Sequence, residues 1–291
     1  TYTNTTISNS NTLSIASDAS LGSGTVTLNG AGAVLKVTGA TTIDNALSIG
    51  SSGGQIEHST AVTMSGVISG TGSLSKSGTG TLTLSGTQTG TGGLVVSAGT
   101  LSVAEDANLL AGSLTLNGGT LSVSGTAVTV DNAIVLGSNH GTISHSNALT
   151  LSGVISGAGN LTKSGGGALT LSGVNTYTGT SSFAGAVVNI SSDSNLGSGD
   201  VILGTNANLT ITGTTTIDNN IVLNAAPALI SVSTGATATI SGVISETGGS
   251  RGLNKGGAGT LVLGANATYT GTTGLNGGVF QLAATTTMAT S

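Results

Sequence analysis

The chain has 291 residues, 37% of them hydrophobic and only 5% charged, with 50 glycines, one proline and no cysteine. Low charge with abundant aliphatics excludes an intrinsically disordered chain, and glycine without a three-residue period excludes collagen. The net charge of −5, from ten acids and five bases, leaves no basic stripe, so nucleic acid and anionic membranes are poor partners.

The absence of cysteine removes disulfides and any thiolate-based metal or redox site. The apolar residues come in short bursts, never in a run of about 18 or more, so the sequence offers no membrane-spanning helix. The first residues, from Thr1, lack the basic and apolar regions of a signal peptide.

Along the chain one pattern recurs: aliphatic, hydroxyl, aliphatic. It begins as Leu13-Ser14-Ile15, Val26-Thr27-Leu28, Leu47-Ser48-Ile49, Val62-Thr63-Met64 and Leu82-Thr83-Leu84. It continues through Leu101-Ser102-Val103, Leu121-Ser122-Val123, Leu149-Thr150-Leu151 and Leu169-Thr170-Leu171 to Leu209-Thr210-Ile211. Period-2 alternation sends both aliphatics to one face and the hydroxyl to the other. Between triplets lie Gly, Asn, Ser and Asp, the turn formers. No stretch has helical periodicity, so the chain reads as all-β.

The triplets sit inside a longer repeat. Ser65–Gly92 reads SGVISGTGSLSKSGTGTLTLSGTQTGTG and Ser152–Gly179 reads SGVISGAGNLTKSGGGALTLSGVNTYTG. A third copy, Ser241–Gly271, carries an insertion around Gly248–Gly252. Lys76, Lys163 and Lys255 mark the copies, as do the pairs Asp44-Asn45, Asp131-Asn132 and Asp218-Asn219, which recur every 87 residues. Fixed-offset repetition of short strands favours a solenoid over a sandwich. A coil of roughly 20–24 residues gives about four coils per repeat and about 13 in all, close to 60 Å at about 4.8 Å per coil. The continuous repeat predicts one elongated domain over 1–291. Its landmarks divide it into 18–105, 106–192 and 193–282, with 283–291 starting a further repeat or forming a tail.

The string at Leu161–Gly179, LTKSGGGALTLSGVNTYTG, resembles the autotransporter-associated β-strand repeat. The resemblance implies a right-handed parallel β-helix in the passenger region of a bacterial extracellular or cell-surface protein. Copy one departs from the motif at Gly90, where the other copies have Tyr177 and Tyr269, and copy three departs around Arg251.

Candidate chemistry is sparse. Copies four coils apart would lie about 19 Å from one another. A glycosidase pair needs roughly 5–9.5 Å, so Asp44, Asp131 and Asp218 read as corner formers. Asn45, Asn132 and Asn219 are expected in turn ladders, their amides pairing from coil to coil. Lys76, Lys163 and Lys255 read as supplying solubility and a carbonyl or carboxylate contact. His58 and His145 correspond but have no counterpart in the third copy, and His140 near His145 lacks a third strong ligand. No catalytic, cofactor-binding or metal-binding residue is expected, and an enzyme is not.

The leading expectation is a structural or adhesive rod that acts by stiffness, self-association or surface contact. The alternative is a glycan- or receptor-binding passenger module using Tyr177, Tyr269, Arg251 and the Gly248–Gly252 insertion. Expected partners are further copies, head-to-tail or lateral, a continuation of the same polypeptide, or a host or neighbouring-cell surface. The head-to-tail expectation rests on the matching motif phase at Tyr2 and Tyr269. Ice binding would need Thr-x-Thr doublets on successive coils of one face. Because most triplets carry a single outward hydroxyl, it is not expected.

Overall fold

A computed structural model describes residues 3–225, 227–284 and 286–288; Tyr2 and the last three residues of the tail lie outside the described residues. The chain divides into two compact units, Thr1–Ser144 and His145–Ser291. Each is a parallel β-solenoid. Among the described residues there is no α-helix, only three single-turn 3-10 helices at Asp18–Ser20, Asp106–Asn108 and Asp193–Asn195.

In the first unit, one sheet runs Thr41–Ile43, Val62–Met64, Thr81–Leu84, Thr100–Val103 and Thr120–Val123. A second stacks Thr12–Ile15, Val34–Val37, Gly54–His58, Leu74–Ser77, Leu94–Val96, Leu114–Leu116 and Ile134–Leu136. A third holds Asn4–Ser8, Thr25–Asn29, Leu47–Ile49 and Ile68–Gly70. Leu74 lies beside Leu94 and Leu94 beside Leu114, so a coil takes 20 residues here. The second unit repeats the plan, Leu149 lying beside Leu169 and Leu161 beside Ser181. The third-copy insertion lengthens one coil there, so that Ala228 pairs with Leu253.

The alternation in the sequence is the alternation in space. Leu82 and Leu84 are buried while Thr83 is half-exposed, and Leu169 and Leu171 are buried on either side of half-exposed Thr170. In-register pairing stacks aliphatic on aliphatic inside, as in Val62–Leu82–Leu101–Leu121. Each such side chain gains about 2 kcal/mol from leaving water, but only when the coils on either side are present.

Where a strand is lost, a side-chain amide replaces its hydrogen bonds. In the first unit Gln88 Oε1 accepts the Ile68 amide at 2.6 Å. In the second, Asn175 Oδ1 accepts the Ile155 amide at 2.8 Å. At the 3-10 turns, Asn108 Nδ2 donates to Gly86 O and Asn195 Nδ2 to Gly173 O, each at 3.1 Å. Interior backbone groups therefore keep partners in the absence of a ladder.

Copies of a landmark do not stack. In the first unit Asp44 follows a strand of the Thr41–Ile43 sheet, whereas Asp131 follows Val128–Val130, which lies outside that sheet. In the second unit Lys163 and Lys255 belong to different sheets. The reason is arithmetic: neither 87, the offset from Asp44 to Asp131, nor 92, that from Lys163 to Lys255, is a whole multiple of a 20-residue coil.

Candidate functional site

The three lysines point inward, which corrects the solubility reading. Lys76 follows Leu74 in the same parity and stacks between Ile56 and Val96 in the core ladder. Its Nζ donates to Gly78 O and Ala98 O, both at 2.9 Å. Lys163 Nζ donates to Ser164 O at 3.4 Å and to Gly165 O. Lys255 Nζ donates to Gly256 O, Gly257 O and Gly277 O at 2.7, 2.8 and 2.9 Å. The corner glycines turn these carbonyls toward the ammonium: Gly78, Gly165 and Gly257 have φ of 76°, 81° and 70°, a region that side chains disfavour. The carbonyl contact expected from the sequence is present, and the stem packs as an aliphatic would.

Burial disfavours the charged form, lowering Lys76 to about 8 and shifting Lys163 and Lys255 in the same direction. Beside them, His58 Nδ1 meets Thr60 O and His145 Nδ1 meets Asn147 O, both at 2.8 Å, while each Nε2 is buried without a partner. Burial lowers both histidines, the carbonyl contact partly opposes it, and Lys76 or Lys163 nearby lowers them further.

These shifts fix the sign of the pH dependence. Between about 8 and about 10.4 the unfolded chain binds more protons on Lys76 than the folded one. Stability should therefore rise with pH across that window until Tyr177 and Tyr269, raised by burial, begin to oppose it near 10. Below about 6.5 the unfolded histidines gain protons that the folded ones refuse, so stability should fall as pH drops. Melting temperature measured from pH 5 to 10 should show both limbs. Lys76→Met should flatten the alkaline limb, and His58→Gln with His145→Gln the acid one.

The asparagine landmarks bridge to backbone rather than to each other. Asn45 Nδ2 reaches Gly22 O and Gly24 O at 2.9 and 2.7 Å. Asn132 Nδ2 reaches Leu110 O and Gly112 O, both at 2.8 Å. Asn219 Nδ2 reaches Gly197 O and Gly199 O at 2.6 and 2.7 Å. The expected amide ladder is absent because the residue in register one coil earlier is a glycine, Gly24, Gly112 or Gly199, not an asparagine. Each bracket clamps a coil to the one before it. Asn219→Ala should cost about 2–3 kcal/mol, two acceptors losing their donor, and chemical denaturation would read that loss directly.

The aspartates do meet acidic partners, though not each other. The Asp44 amide donates to Asp18 Oδ1, that of Asp131 to Asp106 Oδ1 and that of Asp218 to Asp193 Oδ1, at 3.4, 3.3 and 3.1 Å. Burial raises Asp106; the Asp131 amide it accepts from opposes that, and the Asp131 charge adds a smaller push upward. Sequence reasoning compared Asp44 only with its distant copies and missed this pairing with the aspartate of the 3-10 turn one coil earlier. Among the described residues no three His, Asp or Glu side chains converge in a way that could hold a metal ion.

The tyrosines are not a contact surface, which is a second correction. Tyr177 is 0% and Tyr269 2% exposed, their hydroxyls bonded to Ser181 Oγ at 2.5 Å and Thr273 Oγ1 at 2.7 Å. Alternation accounts for it: in Val174-Asn175-Thr176-Tyr177 the first and third are exposed, the second and fourth buried. Arg251 is half-exposed but tied down, Nε donating to Thr247 O and an Nη to Gly248 O, at 3.2 and 2.9 Å. Glu246 holds the insertion from below, accepting from the Arg251 amide and the Thr270 hydroxyl, both at 2.6 Å.

The family model of the passenger-associated-transport-repeat matches residues 74–103, 161–190 and 253–282. Each matched segment begins two residues before a buried lysine and contains two ladder pairs of its own: Leu74–Ser77 with Leu94–Val96 and Thr81–Leu84 with Thr100–Val103 in the first. The second and third are built alike. No curated protein and no solved structure matches the chain. Repeats of this family imply an autotransporter passenger β-helix. With its lysine corners, self-paired strands and three family matches, the chain carries three copies of the passenger-associated-transport repeat, the autotransporter type that its sequence motif resembles.

Proposed function

We propose that the chain is a non-enzymatic structural and adhesive segment of a passenger displayed outside a bacterial cell. The observation that carries this reading is where the chemistry-bearing side chains go. The lysines of the repeat, Tyr177 and Tyr269 and the recurring amides Asn45, Asn132 and Asn219 are all buried and spent on holding coils together. What faces outward is mostly hydroxyl and backbone, suited to broad contact rather than to one pocket. Leu275, Val279 and Leu282 are also exposed, which favours further protein against that coil, from the same polypeptide or another copy.

The test is display. Cells presenting the chain ahead of an autotransporter translocator should adhere to surfaces or to each other more than cells presenting the translocator alone. Verified display with no gain in either would remove the adhesive role. A heat-labile hydrolase or lyase activity on polysaccharides would remove the non-enzymatic one. A glycan- or receptor-binding module draws less support, because the tyrosines it needed are in the core and the insertion is bonded to itself.

A further inference from the structure

One face of the first unit goes beyond adhesion in general. On the sheet containing Thr81–Leu84, Thr81 pairs with Thr100 and Thr100 with Thr120, while Thr83 pairs with Ser102 and Ser102 with Ser122. The Thr142-Ile143-Ser144 doublet follows, the Thr142 amide donating to Gly119 O at 3.2 Å. Four successive coils thus carry a hydroxyl doublet in register, although coil length between them varies. Judged triplet by triplet the doublet was hidden, because the first hydroxyl of each precedes its triplet. All eight residues are half-exposed, and among the described residues none of their hydroxyls takes a protein partner.

The result is a two-dimensional grid. Neighbours along the stack lie about 4.8 Å apart and the two rows about 6.6 Å apart, twice the rise per residue. The strands bearing it have no outward charged or aromatic side chain, which removes the groups that would select an ion or stack a sugar. One row is all threonine, whose branched side chain holds few rotamers, so the grid is ordered before anything binds. Beneath it Leu82, Leu101, Leu121 and Ile143 are each 0% exposed and hold the backbone in place. By contrast, the sheet of Leu149–Leu151 in the second unit offers a single row, Thr150–Thr170–Asn189–Thr210, interrupted by an amide.

We infer that this threonine–serine face binds the surface of ice. A crystal of water presents an uncharged periodic array of hydrogen-bonding oxygens, with spacings of the same size as this grid in both directions. A fixed array of hydroxyls and methyls can hold a matching layer of water through many individually weak bonds.

The test uses the whole chain. Nanolitre osmometry should show a gap between melting and freezing temperatures, and the protein should be enriched in slowly grown ice. Thr100→Lys and Thr120→Lys, on different coils of the grid, should abolish both effects. Thr115→Lys, half-exposed on the neighbouring sheet, should keep them. Circular dichroism confirms the fold of each, and if one grid variant loses its β spectrum the other decides the result. No gap and no enrichment for the unmodified chain overturns the inference, as does equal behaviour of grid and control variants. Self-association abolished by the grid variants, without ice activity in the parent, would make the face a contact between copies and likewise overturn it.

Discussion

Leu171→Asp is expected to unfold the coils around it, while Thr170→Asp leaves them standing. The two residues are adjacent, and their exposures are opposite: Leu171 is 1% exposed beside Leu151 in the core ladder, and Thr170 is half-exposed. An unpaired carboxylate among stacked leucines has no donor to meet, and its burial costs several kcal/mol beyond the lost packing. Because each coil is completed by its neighbours, the damage spreads along the unit. A large drop in melting temperature for Leu171→Asp with a change of a few degrees for Thr170→Asp is the expected result. Equal drops would reject the alternation on which the fold rests.

The second large effect is a size exchange between coils. In the second unit the Tyr177 ring lies against Gly197, where an added Cβ would come within 2.6 Å of ring carbons. The equivalent place in the first unit has Gly90, and there Leu110 from the next coil fills the space, its Cδ2 3.0 Å from the Cβ that Gly90 lacks. The same backbone bond joins the coils in both, Ala111 N donating to Gly90 O at 2.9 Å and Ser198 N to Tyr177 O at 3.0 Å, but a Cβ at Gly197 would also come within 2.3 Å of the Tyr177 carbonyl oxygen. Tyr177→Gly should therefore cost about 3–5 kcal/mol through its cavity. Gly197→Leu alone should cost about 3 kcal/mol through overpacking. The double variant, which installs the first unit's pair of residues in the second, should recover the part of both losses that comes from the ring, while the contact of the new Cβ with the carbonyl of residue 177 remains. A double-mutant cycle from denaturation curves measures that recovery, and simple additivity would refute the exchange.

Much of this was legible before any coordinates. The Leu-Thr-Leu alternation placed Leu169 and Leu171 inside, and the 87-residue offset placed the chain among solenoids. The same alternation also marked Lys76 as inward, two residues after Leu74, and Tyr177 as inward, two after Asn175. Residue type points the other way at both positions, a lysine suggesting solvent and a tyrosine a contact, and parity prevails. The asparagine brackets and the Asp106–Asp131 pairing were hidden for another reason. They link residues 20–25 apart, one coil, whereas the visible repeat compares residues 87 apart. The departure at Gly90 looked like loss of a motif residue until Leu110, one coil on, proved to occupy its volume.

The two periods have a consequence for how such a protein can evolve. Lys163 and Lys255 belong to different sheets, so duplicating a segment of 87 residues carries any decoration to a new side of the coil. Selection on the segment as a whole can refine what closes a coil, such as a lysine corner or an asparagine bracket, since every copy needs one wherever it lands. It cannot build a continuous stripe. A stripe like Thr81–Thr100–Thr120 must be assembled by separate substitutions in consecutive coils, at positions that occupy different places in the duplicated unit. The inherited signature and the working surface of such a protein therefore change independently. Two chains sharing every buried landmark can meet the outside world through unrelated faces.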